Sequence, residues 1–122
     1  MEKKKALIID DGIDFITAYE AILRANDVEV VSATNGKDGF EMLKNEKPGV
    51  VVLDVMMETP DSGFDFLQKM KKEGIDTPVI LCSSIAKASQ MNFDIDSLDA
   101  KVVMQKPVDL DKLVENVKKF AK

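Results

Sequence analysis

The chain has 122 residues, 45% of them hydrophobic and 32% charged, so it is long enough to bury a real core as one domain spanning 1–122. Its 22 acidic and 17 basic residues give a net charge of −5 with no basic stripe, so nucleic-acid binding is not expected. A single cysteine rules out an internal disulfide, the absence of histidine excludes imidazole bases, ligands and phosphohistidine, and no leader or membrane-length apolar run is read, which points to the cytoplasm and away from membranes.

In chain order, Lys5 to Asp10 reads as a buried strand around Ala6, Leu7, Ile8 and Ile9. Asp14 to Asn26 reads as a helix, with Phe15, Ala18, Tyr19 and Ile22 at helical spacing. Val28 to Ala33 is a second strand. Gly36 to Asn45 is a helix with Phe40 and Leu43 on one face, and Pro48 marks its end. Gly49 to Asp54 is the third strand. A loop from Val55 to Gly63 leads into a helix near Phe64 to Glu73, with Phe66, Leu67 and Met70 as its apolar stripe. Val79 to Cys82 and Lys101 to Gln105 are the fourth and fifth strands, and Cys82 is expected as a small buried side chain. Between them, Ile85 to Asp99 supports only a short helix, because its apolar residues recur closer to every second position and Asp94, Asp96 and Asp99 dilute it. Leu110, Leu113, Val114, Val117 and Ala121 define an amphipathic final helix.

Strands alternating with helices predict an α/β fold, a doubly wound parallel sheet with both faces covered. In such sheets ligands bind beyond the carboxyl ends of the strands. Four apolar runs end there in reactive side chains: Asp10-Asp11, Asp54, Ser83 with Ser84, and Lys106. Three carboxylates at one edge repel unless a cation joins them, and an oxygen-only donor set with water suits Mg²⁺. Lys106 supplies a counter-charge able to pair with Asp54 and then with a phosphate, and Ser83 supplies a hydroxyl donor. Asp54, the lone acid on the third strand, is the candidate to accept a phosphoryl group, with Asp10 and Asp11 holding the metal. A histidine-borne phosphate must then arrive from another molecule.

The segments Leu7-Ile8-Ile9-Asp10-Asp11, Val52-Leu53-Asp54-Val55-Met56-Met57, Thr77 to Ser83 and Lys106-Pro107-Val108-Asp109 together resemble the receiver domain of two-component response regulators, over essentially the full length. The resemblance implies a flavodoxin-like five-stranded parallel sheet in order 2-1-3-4-5. It implies Asp54 as phosphoacceptor, Ser83 as switch hydroxyl and Lys106 as phosphate contact. It further implies Mg²⁺ held directly by Asp11 and Asp54, through water by Asp10, and by the Met56 backbone carbonyl. A cis Lys106-Pro107 peptide also follows from it. The implied partners are a histidine kinase or histidine phosphotransfer protein and an output protein of unknown identity, and a stand-alone signalling module rather than a conventional enzyme is expected.

Several positions depart from the family pattern. The loop Val55 to Gly63 is longer and adds Glu58 and Asp61; Gly12 stands where an acid commonly follows the aspartate pair; and Val103 replaces a frequent Tyr or Phe. Met56 and Ile85 are apolar at positions that tune water access, so slow self-dephosphorylation is expected. Two other readings are a degenerate receiver that binds without phosphorylation and a Mg²⁺-dependent phosphohydrolase. The latter wants a second acid two residues after its nucleophile, where Met56 stands. A flavin or nucleotide carrier is disfavoured by the acids of Asp10 to Asp14, which repel phosphate.

Overall fold

A computed structural model describes residues 4–54, 62–83 and 101–121. The Val55 to Gly63 loop up to residue 61, Met56 within it, and the expectations for Ser84 and Ile85 to Asp99 lie outside the described residues.

The elements in chain order are β1 (Lys4–Ile9), α1 (Ile13–Ala25), β2 (Val28–Ala33), α2 (Gly36–Glu46), β3 (Val50–Asp54), α3 (Ser62–Lys72), β4 (Val79–Ser83), β5 (Val102–Gln105) and α4 (Leu110–Phe120). The strands form one parallel sheet in the order β2-β1-β3-β4-β5, as the resemblance implies. Every residue of β3 and β4 is buried, which fits central strands covered on both faces.

Strand alternation sorts the core into two layers. Ala6, Ile8, Val50, Val52, Ile80 and Cys82 pack with Tyr19 and Leu23 of α1 and with Leu113 and Val117 of α4. Leu7, Ile9, Val51, Leu53 and Leu81 pack with Phe40 and Leu43 of α2 and with Phe66, Leu67 and Met70 of α3. The described helices therefore cover the sheet in pairs, and burying each large aliphatic side chain contributes about 1.5–3 kcal/mol. Cys82 is buried as expected.

Polar caps fix where two helices begin. Asn35 accepts from the Asp38 backbone N–H at 2.8 Å, and Asp109 accepts from those of Asp111 and Lys112 at 3.0 and 3.3 Å. The α2 helix ends at Lys47, whose left-handed conformation (φ 49) immediately precedes Pro48.

One expected face is corrected. The buried stripe of α1 is Ile16, Tyr19 and Leu23, with Ile22 partly buried beside it, whereas Phe15 is 38% exposed. Its ring lies instead against Lys106. Among the described residues no helix is long and apolar enough to cross a membrane.

Candidate functional site

The carboxyl ends of β1, β3, β4 and β5 bring the predicted side chains to one edge of the sheet. Backbone pairing continues past two strands to place them. The Asp10 N–H donates to the Ala33 carbonyl at 3.2 Å, and the Lys106 N–H donates to the Ser83 carbonyl at 2.7 Å. Asp54 is the last residue of β3, paired in register with Cys82, and Ser83 follows one position later as the buried end of β4. The Lys106-Pro107 peptide is cis.

Asp10, Asp11 and Asp54 each offer a carboxylate oxygen within 4.8 Å of the others. Asp10 and Asp54 are 2% and 5% exposed, while Asp11 is open to solvent. Two buried carboxylates beside a third are costly to hold together without positive charge. The donors are all hard oxygens and one of the three faces solvent, a set that fits a divalent cation such as Mg²⁺.

Among the described residues, Lys106 brings positive charge to this edge. Its Nζ lies 2.8 Å from Asp10 Oδ2 and 3.4 Å from Asp54 Oδ2. The expected pairing with Asp54 is thus shared, and Asp10 is the closer partner. Asp10 is further oriented by its other oxygen, Oδ1, which accepts from the Gly12 N–H at 2.9 Å. Burial pulls the Lys106 pKa down, but its hydrogen bond to Asp10 and the charges of Asp54 and Asp10 outweigh this, leaving the ammonium more firmly protonated than usual. It is therefore a permanent cation at neutral pH, held beside the Asp10 and Asp54 carboxylates.

Two residues not singled out in the sequence for this region belong to its surroundings. The Phe15 ring centroid is 4.1 Å from Lys106 Nζ. Behind it, the Tyr19 hydroxyl is buried with no hydrogen-bond partner among the described residues. Burial, followed by the charges of Cys82, Asp10 and Asp54, raises the Tyr19 pKa, so the phenol stays neutral. Tyr19 was legible as core, but nothing local marks Phe15 as a neighbour of a residue so far along the chain. Val103 is partly buried against the α2/α3 layer. Met56 lies outside the described residues.

The sequence matches the family described as the response regulator receiver domain over residues 6–118. A chemotaxis protein of Listeria monocytogenes is 32% identical over 97% of this chain and 98% of its own length. A probable transcriptional regulator of Porphyridium aerugineum is 35% identical over 73% of this chain, but that match covers only 36% of the relative. The chain thus spans about a third of the length of several curated relatives it matches. Among solved structures, a response regulator receiver protein from Pseudomonas putida superposes with a TM-score of 0.85 at 24% identity, covering 98% of each chain. A Francisella response-regulator receiver domain gives 0.84 at 24% identity, over 97% of this chain and 96% of its own. These structural likenesses carry the fold.

Proposed function

The chain belongs to the receiver-domain family of two-component response regulators, and from that premise we propose that Asp54 accepts a phosphoryl group from a histidine of a partner protein. The observation that carries this reading is the meeting of Asp10, Asp11 and Asp54 within 4.8 Å, with Lys106 bridging the two buried acids. A carboxylate oxygen of Asp54 attacks phosphorus, the new O–P bond forms, and the N–P bond to the donor imidazole breaks. The imidazole leaves with the bonding pair and takes up a proton. Lys106 stands beside the Asp54 oxygen and offsets the charge that gathers on the phosphoryl oxygens, while Ser83 supplies a hydroxyl to one of them.

Asp10, Asp11 and Asp54, joined by the Met56 carbonyl, are the residues proposed to hold Mg²⁺, which when bound neutralises phosphoryl charge during an in-line transfer. The donor is a histidine kinase or histidine phosphotransfer protein, because the chain has no histidine of its own. Output is by protein–protein contact, in the cytoplasm, from residues 1–122 acting as one signalling unit rather than as a conventional enzyme. Direct contact with nucleic acid is disfavoured by the net charge of −5.

Incubating the purified protein with acetyl phosphate and Mg²⁺, then measuring intact mass, tests the proposal. A single phosphoryl adduct is expected, lost in Asp54→Asn and lost when Mg²⁺ is chelated. No adduct on the unaltered protein, or an adduct that survives in Asp54→Asn, overturns it and turns the reading towards a module that binds without phosphorylation.

A further inference from the structure

Phe15 sits in the first turn of α1, yet the core does not hold it there. The buried stripe of that helix is Ile16, Tyr19 and Leu23, and Ile13 in the same turn is 68% exposed. The Phe15 ring instead lies over the Lys106 ammonium at 4.1 Å, tilted 36° against the Tyr19 ring at 6.2 Å. With carboxylates at 2.8 and 3.4 Å and the ring close by, Lys106 keeps only 14% of its side chain exposed. The aromatic face attracts a cation electrostatically, and the attraction strengthens as water is excluded.

Gly12 makes room for this arrangement. A Cβ there would stand 2.8 Å from Phe15 Cδ2 and 3.3 Å from Asp10 Oδ1. The first distance is shorter than real Cβ contacts, so any other side chain at 12 must displace the ring, and the second crowds the carboxylate that binds Lys106. The departure from the family pattern at Gly12 and the exposed aromatic at Phe15 are therefore one feature.

We propose that Phe15 is a positioning residue for Lys106, its ring fixing the ammonium at the Asp10–Asp54 edge, and that Gly12 is what admits the ring. Its consequence for phosphorylation rests on the reading of Asp54 as acceptor. A divalent cation at Asp10, Asp11 and Asp54 competes with Lys106 for carboxylate oxygens but not for the ring. A face-on ring contact also has no lone-pair direction to satisfy. The ammonium can exchange a carboxylate oxygen for a phosphoryl oxygen and keep the ring as a fixed partner.

The placement itself is tested by NMR of the unphosphorylated protein. The Lys106 Cε–Hε resonances, assigned by their disappearance in Lys106→Arg, are expected to be shifted upfield by the ring current. They return towards ordinary lysine positions in Phe15→Leu and in Gly12→Ala, and remain upfield in Phe15→Tyr. The consequence is tested by the initial rate of phosphorylation with acetyl phosphate and saturating Mg²⁺. That rate should fall about fivefold in Phe15→Leu and in Gly12→Ala and recover in Phe15→Tyr. Lys106 signals unmoved in Phe15→Leu overturn the positioning role, whatever the rates do. Moved signals with an unchanged rate overturn its consequence for transfer. If the unaltered protein takes no phosphoryl group, the proposed function fails, and the Lys106 signals still decide the role of Phe15.

Discussion

At the scale of single residues, Lys106 decides how three carboxylates share one edge of the sheet. It contacts Asp10 at 2.8 Å and Asp54 at 3.4 Å, and those acids are 2% and 6% exposed at the side chain. Among the described residues and without bound metal, the Lys106 ammonium contacts two of three clustered carboxylates, so the two directions of charge change have opposite effects. Lys106→Ala leaves Asp10 buried without its closest partner, and breaking a buried pair in this way costs about 3–5 kcal/mol. Asp54→Asn removes one of the repelling charges while Lys106 retains Asp10, so it should leave stability unchanged or raised. Urea unfolding in the presence of a chelator is expected to rank Asp54→Asn at or above the unaltered protein and Lys106→Ala well below both. The reverse ranking would mean that the carboxylates do not repel. Added Mg²⁺ should raise Tm by mass action in the unaltered protein and by less in Asp54→Asn.

At the scale of elements, the site depends on how closely α2 approaches β1. Gly39 faces Ile9, the residue before Asp10, and a Cβ at Gly39 would lie 2.6 Å from Ile9 Cδ1 and 2.8 Å from its Cγ1. Ile9 is fully buried, and protein interiors are close-packed, so a shift of its side chain must displace neighbours. Alanine gains about 1 kcal/mol in helix propensity over glycine, but overpacking a filled core costs about 1–3 kcal/mol. The clash should win, because the glycine lies in the first turn of α2, where propensity counts least. Gly39→Ala is expected to be less stable by about 1 kcal/mol in urea unfolding. Equal or greater stability would show that Ile9 moves aside at no cost. The same elements show what the sequence made legible. Continuous apolar runs such as Val50 to Leu53 are long-range facts written locally, since burial on both faces dictates composition. The phase of α1 was not written locally. Phe15-Ala18-Tyr19-Ile22 and Ile16-Tyr19-Leu23 both satisfy helical spacing, and what separates them is a cation–π contact to Lys106. Local periodicity carries no trace of a partner on the far side of four strands. The residues of the candidate site were legible because each ends an apolar run, whereas the preference of Lys106 for Asp10 over Asp54 depends on side-chain reach across the sheet.

At the scale of the whole molecule, one end of the sheet gathers groups that hold their protons more tightly folded than unfolded. Cys82 is pushed from its usual 9.0 up to about 12, first by burial and then, against the lowering effect of Lys106, by the charges of Asp10 and Asp54. Burial raises Tyr19 above its usual 10.0, and the carboxylates carry Lys106 above 10.5 despite its burial. All three shifts have the same sign. In the alkaline range the unfolded chain releases these protons first, so it binds fewer than the folded chain, and unfolding free energy must fall as pH rises. The stabilisation is fully present below about pH 9, where even unfolded Cys82 keeps its proton, and is lost progressively towards pH 12. Each fully engaged group contributes a slope of about 1.4 kcal/mol per pH unit. Urea unfolding through this range should therefore give a plateau that bends downward above about pH 9 and steepens beyond 10, where Tyr19 and Lys106 join. Cys82→Ala separates the contributions. It subtracts a pH-independent amount for the lost packing, but it also removes the earliest part of the bend, so its curve should stay level to about pH 10. A level curve to pH 10.5 in the unaltered protein would mean that the end of the sheet opens to water, contrary to the 1% exposure of Cys82.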